Sequence, residues 1–209
     1  MNMGLRVWAV VAILALAPAA SWAVEGGAPA EFIDGMVGEA IHTLRDPTLA
    51  DAQRGARLGT LLTRDFDIPR VARFVLGRYW RTASEDERRD FARLFQQWVV
   101  RTYTARLEHY SNETVRVTGA RPEGDSDAVV SSEIVHSSGP PTRVAWQVSR
   151  RNGAWRVVDV DVEGVSMALT ERDEIAATIE RAGGTVAALN RTLGAKLAVD
   201  PDAGERASR

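Results

Sequence analysis

Hydrophobic residues in the first half of the chain recur every three or four positions, a spacing that is typical of amphipathic helices. Pro29 suits the first turn of such a helix and the Asp46-Pro47 pair suits its end, while Asp67 and Gly77 suit the two ends of a shorter one. The sequence Ser84-Glu85-Asp86-Glu87 is a capping box that opens a long helix with one aromatic face. Four helices are therefore predicted, over residues 29–44, 48–64, 68–76 and 84–110.

Beyond residue 110 the hydrophobic period falls to two, which indicates β-strands. Short turn sequences separate the strands, and the Asn152-Gly153 pair favours a tight hairpin. Val144 and Trp146 fall on the same face of their strand, so one face of the sheet is apolar and needs to be covered. The predicted strands are residues 114–120, 127–137, 142–149 and 154–162, and two more helices follow at about 170–181 and 185–197.

This order of elements predicts an α+β fold. Four consecutive strands with short turns form an antiparallel meander, and we expect helices to cover one side of this curved four-stranded sheet. The chain has 209 residues, for which one domain is the default, and we expect that domain to occupy residues 24–199.

The first 23 residues are predicted to be a secretory signal peptide that is cleaved. Arg6 gives a positive start, an apolar run follows, and Ser21-Trp22-Ala23 suits a cleavage site. An uncleaved membrane anchor is the alternative, because no charged residue occurs between Arg6 and Glu25, but Pro18 argues against it. We therefore expect the chain to act in the bacterial periplasm, with residues 200–209 as a disordered polar tail.

Composition and charge exclude several classes of protein. The chain has no cysteine, which excludes thiol nucleophiles, cysteine-ligated metals and disulfides. Its net charge of −2 and its pI near 6 give no basic excess of the kind that binds a phosphate backbone, so no nucleic acid partner is expected. The sequence also contains no phosphate-binding glycine loop and no nucleophile elbow.

Few titratable residues are candidates for chemistry. Asp159, Asp161 and Glu163 alternate along one strand, which suits a cation site or a general base, but we favour a solvated face whose acids pair with arginines. A small enzyme with an apolar pocket is an alternative function, and it would need an acid such as Asp159 or Glu133 inside that pocket. No metal site is predicted, because the histidines have no second histidine at helical spacing: His42, His109 and His136.

Four blocks of sequence occur in a fixed order: residues 66–81 (FDIPRVARFVLGRYWR), 91–110, 155–160 (WRVVDV) and 163–167 (EGVSM). Together they closely resemble the MlaC family, also called the toluene-tolerance family, and the resemblance covers residues 30–197. Arg172 also stands where that family has a common arginine. The chain departs from the family pattern at Glu171 and Ile175, where aromatic residues are usual, which affects the shape of a pocket more than the fold.

The resemblance implies an NTF2-like or MlaC-like fold with an apolar cavity and a role as a periplasmic phospholipid shuttle. Such a carrier exchanges glycerophospholipid with the MCE-domain subunit of an inner-membrane ABC transporter and with an outer-membrane lipoprotein complex, and so maintains outer-membrane lipid asymmetry. It implies no cofactor and no catalysis, and a monomer is expected. A sister family serves hopanoid traffic, so another lipid is an alternative cargo. A periplasmic adaptor or chaperone without a lipid is a further alternative.

Eight residues are predicted to form the wall of the lipid cavity. Apolar spacing on helices and strands selects seven of them, while Val165 is chosen because it lies in the Gly-Val-Ser block of the resemblance. Aromatic stripes of this kind also occur in filled cores, so a core role is the alternative for this set. The predicted wall is Val75, Tyr79, Phe95, Trp98, Tyr103, Val144, Trp146 and Val165.

Three arginines beside the predicted cavity wall are candidates for contact with a partner protein or a lipid head group. A solvated helix face explains them equally well. They are Arg70, Arg73 and Arg78.

Overall fold

The computed structural model describes residues 27–107 and 113–199. The predicted signal peptide, the end of the predicted long helix and the predicted C-terminal tail lie outside these residues. None of the described helices is long and apolar enough to cross a membrane.

All six predicted helices are present, close to their predicted positions. Asp67 caps the third helix by accepting a hydrogen bond from the backbone N–H of Arg70 at 3.1 Å, and Ser84 and Glu87 form the predicted capping box. One further helix is a single turn, too short for a helical period to predict it. The helices are α1 (Gly27–Arg45), α2 (Asp51–Asp65), α3 (Ile68–Leu76), α4 (Tyr79–Thr82), α5 (Glu85–Leu107), α6 (Met167–Arg181) and α7 (Val186–Ala198).

The four predicted strands are confirmed, but the sheet has five strands and not four. The added strand has two residues and forms because Glu163 and Gly164, with φ of 52° and 86°, turn the chain back so that Val165 pairs with Val162. All neighbours are antiparallel, in the order β1-β2-β3-β4-β5. The strands are β1 (Thr114–Glu123), β2 (Asp127–Val135), β3 (Thr142–Arg151), β4 (Ala154–Val162) and β5 (Val165–Ser166).

Three clusters of buried side chains fill the space between the helices and the inner face of the sheet. The largest joins α3, α5, α6 and α7 around Phe91 and Leu189. The second packs α1 against the sheet around Ile33 and Val130, and the third lies between α1 and α2 around Leu58. The helices therefore cover one face of the sheet, as the hydrophobic pattern predicts.

Helices α2 and α5 pack tightly at Gly59, which is buried. A Cβ atom built on Gly59 would lie only 2.8 Å from Cγ1 of Val100. Glycine lowers the intrinsic helix propensity of α2, but it is required here because any larger residue would push the two helices apart. This contact holds α2 against α5.

Candidate functional site: an apolar cavity

A cavity of about 330 Å³ lies where the three clusters of buried side chains meet. Its walls come from α1, α2, α5, the inner face of the sheet and the start of α6. The volume is within the range of small-molecule pockets, about 300–1,000 Å³. Since nearly all of the lining side chains are aliphatic or aromatic, the cavity suits a hydrocarbon ligand.

Helices α1 and α2 form one wall of the cavity. Residues on α1 that are three or four positions apart lie on one face of the helix, and that face points at the cavity. Leu58 and Leu61 of α2 are buried behind it. The lining residues of these two helices are Met36, Val37, Ala40, Ile41, Leu44, Leu58, Leu61 and Leu62.

Helix α5 supplies a row of aromatic rings. Phe95 stacks on Trp98 with ring centroids 5.8 Å apart, and Trp98 meets Tyr103 edge-on at 6.5 Å. All three line the cavity, and Phe91 continues the row into the core at 5.6 Å from Phe95. Because each ring is supported by the next, this wall presents a fixed apolar surface.

The inner face of the sheet forms the opposite wall. Trp146 of β3 lines the cavity, and its indole Nε1 donates a hydrogen bond to the buried Ser132 Oγ at 2.9 Å. The polar atom of this large side chain is therefore satisfied away from the cavity. The other apolar residues of this wall are Val115, Ile134, Val158, Val160 and Val162.

Asp159 is an acid in the cavity lining, but its carboxylate is engaged in the fold. Oδ2 accepts a hydrogen bond from Ser166 Oγ at 2.5 Å. Oδ1 accepts hydrogen bonds from the backbone N–H groups of Val160 and Ala168 at 2.8 and 2.9 Å. These contacts tie β4 to the start of α6. Glu133, the other candidate acid, does not line this cavity and pairs with Arg116 at 2.6 Å. Neither acid is placed as a general acid or base for a ligand in the cavity.

Glu171 is one of three acidic residues in the mostly apolar cavity lining, with Asp159 and Glu113. It lies on α6 where an aromatic residue is usual in the resembling family, and its Oε1 is 3.5 Å from the Tyr103 hydroxyl. The departure therefore falls on the cavity itself, as the sequence comparison predicts.

The alternating acids of β4 do not form a cation site. Asp161 accepts the backbone N–H of Gly164 at 2.7 Å, and Glu163 pairs with Arg143 at 3.0 Å. The backbone N–H of Arg143, and then its guanidinium, hold the pKa of Glu163 below its usual 4.5. Among the described residues no group of three acids or histidines is placed to hold a metal ion. These acids serve turns, caps and ion pairs.

The structure brings four of the eight predicted wall residues into the cavity lining: Phe95, Trp98, Tyr103 and Trp146. The other four lie elsewhere. Val75 is buried in the cluster between α3 and α6, Tyr79 is half-buried on α4, and Val144 is buried between Ser132 and Val162 of the neighbouring strands. Val165 is 53% exposed on β5.

Sequence reasoning did not select the wall residues of α1, α2 and the start of α6. The apolar stripe of α1 is visible in the sequence. A stripe does not reveal whether it faces an empty space or a neighbouring element, and only the packing of the helices decides this.

The three predicted docking arginines lie outside the cavity, on α3 and beside α4. Arg73 is exposed with its guanidinium carbon 5.8 Å from the Trp80 ring centroid. Arg78 is exposed, 4.9 Å from the Tyr79 ring centroid, and pairs with Glu180 at 3.0 Å. Arg70 is half-buried, and its Nη1 has no hydrogen-bond partner among the described atoms.

Comparison with known proteins gives a family and a fold. The family model "MlaC protein" matches residues 34–195. The chain is 27% identical over 97 residues to the intermembrane phospholipid transport system binding protein MlaC of Haemophilus influenzae. This alignment covers 44% of this chain and 45% of that protein. It is 24% identical over 106 residues to toluene tolerance protein ttg2D of Pseudomonas putida, and this alignment covers 51% of this chain and 49% of that protein. The aligned region thus spans about half the length of each curated relative.

A solved structure has the same fold. The phospholipid-binding protein of Ralstonia solanacearum, determined in complex with a phospholipid, superposes with a TM-score of 0.70 at 24% identity. The match covers 82% of this chain and 99% of that one.

Proposed function

Because the chain belongs to the MlaC family, whose model matches residues 34–195, we propose that it is a phospholipid-binding transport protein. The observation that carries this proposal is the apolar cavity between the helices and the sheet, in a fold that a relative shares in complex with a phospholipid. The acyl tails would lie against Phe95, Trp98, Tyr103 and Trp146 and against the apolar faces of α1 and α2, with the head group toward water.

The free energy of exposing acyl tails to water determines how a bound lipid can leave the cavity. Two tails with about 30 methylenes in all gain roughly 24 kcal/mol on leaving water, at about 0.8 kcal/mol for each methylene. Release of a bound lipid into the periplasm is therefore negligible. In contrast, exchange with a bilayer or another apolar site nearly cancels this term, so lipid is handed over only while the carrier is docked.

The route proposed here is that of the resembling family: between an outer-membrane lipoprotein complex and the MCE-domain subunit of an inner-membrane ABC transporter. Its support is the family membership together with the signal-like first 23 residues, which favour the periplasm. Four predicted wall residues lie outside the cavity lining, and their contact with lipid stays a prediction: Val75, Tyr79, Val144 and Val165. Arg70, Arg73 and Arg78 likewise stay predictions as contacts with a partner.

No catalytic role is proposed. The enzyme alternative would use Asp159 or Glu133 as its acid, but the carboxylate of Asp159 accepts hydrogen bonds from Ser166, Val160 and Ala168, and Glu133 lies outside the cavity lining. A hopanoid or other lipid fits the same apolar wall and stays an alternative cargo.

A transfer assay tests the transport proposal. Donor vesicles of phosphatidylcholine that contain a fluorescent phospholipid are mixed with unlabelled acceptor vesicles, with and without the mature chain. We expect transfer to rise in proportion to the protein concentration. If a folded, lipid-bound chain leaves the transfer rate equal to that of vesicles alone, the chain binds lipid but does not by itself carry it between bilayers.

A further inference from the structure

Arginines without an acidic partner adjoin one another on the side of the molecule formed by α3, α4, α6 and the start of α5. Arg73, Arg81, Arg88 and Arg172 belong to this group. Among the described residues none of them has a carboxylate within ion-pair distance. Arg73, Arg81 and Arg172 are exposed, whereas Arg88 is half-buried and its Nη2 donates a hydrogen bond to the backbone carbonyl of Arg81 at 3.4 Å. The charges of the three exposed arginines are therefore available to an external anion.

Three of these arginines are oriented by aromatic rings. The guanidinium carbons of Arg73 and Arg88 lie 5.8 and 5.5 Å from the Trp80 ring centroid, and that of Arg172 lies 5.3 Å from the Phe74 ring centroid. A stacked guanidinium loses little further freedom when it binds, and its N–H groups can still donate to a phosphate. The stacking thus prepares these cations to bind an anion.

Large apolar side chains are exposed beside these cations. Phe74 is 40% exposed and Leu169 is 53% exposed. Arg172 contacts Phe74 and follows Leu169 by three residues on α6, so it joins the two apolar side chains into one surface. We call this surface the rim; it consists of Arg73, Phe74, Trp80, Arg88, Leu169 and Arg172.

The rim borders the apolar cavity. Helix α3 contributes Val71 to the cavity lining, and Phe74 of the rim lies one turn further along the same helix. Helix α6 contributes Ala168, and Leu169 of the rim follows it directly. The same two helices therefore present an apolar wall inward and an arginine-bearing, partly apolar surface outward, on which α6 also carries the exposed Asp173 and Glu174.

We propose that the rim docks onto the surface of an anionic phospholipid bilayer. The arginines would contact lipid phosphates, and Phe74 and Leu169 would enter the boundary between head groups and tails. The chain as a whole carries a net charge of −2, so the attraction must come from a local patch and not from overall charge. The exposed apolar side chains favour a bilayer over an acidic protein surface. The inference rests on the proposed function, since docking here places the cavity beside the membrane that supplies or receives the lipid.

Co-sedimentation with vesicles tests this proposal. The full mature chain is incubated with vesicles of phosphatidylglycerol and phosphatidylcholine in equal amounts, or of phosphatidylcholine alone, at low and high salt. We expect binding to the anionic vesicles at low salt that weakens at high salt. The double variant Arg73→Gln/Arg172→Gln should bind about 30-fold more weakly, from a loss of about fivefold for each arginine near the surface.

A control variant with the same change in charge separates local docking from general electrostatics. Arg150 and Arg151 are exposed, have no ion pair among the described residues, and lie at the end of the β3–β4 pair opposite β5. We expect Arg150→Gln/Arg151→Gln to bind vesicles as the unchanged chain does. Equal losses in the two double variants would overturn the proposal.

Three further outcomes are decisive. No binding of the unchanged chain to anionic vesicles overturns membrane docking. If the rim variant instead loses binding only to an acidic partner protein, the rim is a protein interface and the proposal is wrong. Native mass spectrometry of the unchanged chain reports the bound lipid. An unchanged chain that holds lipid but does not bind vesicles refutes the rim alone, whereas an unchanged chain that holds no lipid, even after incubation with vesicles, refutes the proposed function.

Discussion

The indole nitrogen of Trp146 donates a hydrogen bond to Ser132 Oγ at 2.9 Å, from one strand to its neighbour. Ser132 is 2% exposed and does not line the cavity, whereas Trp146 does. The bond therefore fixes the orientation of a cavity wall residue from behind. Without it, the indole N–H of the half-buried Trp146 would lose its partner in the sheet.

Replacement of Ser132 by alanine tests this role. We expect Ser132→Ala to lower the free energy of unfolding by about 1 kcal/mol, the usual net contribution of one hydrogen bond. The cavity lining is unchanged, so the chain should still hold lipid. Chemical denaturation and native mass spectrometry measure the two quantities. Full stability in Ser132→Ala would show that the bond contributes nothing.

The close contact of Gly59 with Val100 predicts an unusual response to alanine. An alanine normally stabilises a helix relative to glycine by about 1 kcal/mol, but here its Cβ would meet the stiff β-branched side chain of Val100 at 2.8 Å. Overpacking of this kind costs about 1–3 kcal/mol. We expect Gly59→Ala to destabilise the protein by about 1 kcal/mol, as measured by denaturant unfolding.

Two controls identify the contact as the cause. Gly35 on α1 is exposed and has nothing within 4 Å of an added Cβ, so Gly35→Ala should stabilise the chain. In the background of Val100→Ala, Gly59→Ala should lose its destabilising effect. An unchanged cost in that background would contradict the packing explanation.

Filling the cavity should displace lipid without unfolding the protein. Ala40 of α1 lines the cavity, and the phenyl group of Ala40→Phe would occupy space that the acyl tails need. We expect the fraction of lipid-bound protein to fall several-fold, with unfolding still cooperative. The matched control is Ala52→Phe, at an exposed position of α2 outside the lining, which should retain lipid. Retention of lipid by both variants would place the tails elsewhere.

Acidic pH should destabilise the fold, because some carboxyl groups have a lower pKa in the native state than in the unfolded state. The backbone N–H and then the hydroxyl of Ser84 hold the pKa of Glu87 below its usual 4.5, and Arg143 does the same for Glu163. A lowered folded pKa means that the native state binds fewer protons. The stabilisation is therefore complete above about pH 4.5 and is lost as the pH falls through the lower, folded values.

Denaturant unfolding at pH 7, 4.5 and 3 measures this effect. We expect the free energy of unfolding to decrease from pH 4.5 to pH 3, and the double variant Glu87→Gln/Glu163→Gln to lose part of that decrease. A pH dependence identical to that of the unchanged chain would show that these two contacts do not contribute.

Most of the fold follows from local patterns in the sequence. Asp67, Ser84 and the Asn152-Gly153 pair are positions where a side chain or a backbone preference determines a cap or a turn, and the structure places each as expected. The fifth strand could not be predicted in this way, because two residues have no period. It depends on the turn at Glu163 and Gly164.

The cavity was predictable only in part. The helical spacing of Phe95, Trp98 and Tyr103 places them on one face, and they do line the cavity. Val75 satisfies the same kind of spacing, but it is buried in the largest cluster of the core and not in the cavity lining. Spacing along a single helix cannot distinguish the two cases, because the difference arises from how α1 and α2 pack beside α5.

Native mass spectrometry of the mature protein purified from a bacterial periplasm, with organic extraction of whatever accompanies it, would show whether the chain carries phospholipid. We expect a mass increment of one phospholipid, recovered in the extract. A bare protein mass that persists after incubation with phospholipid vesicles would contradict it.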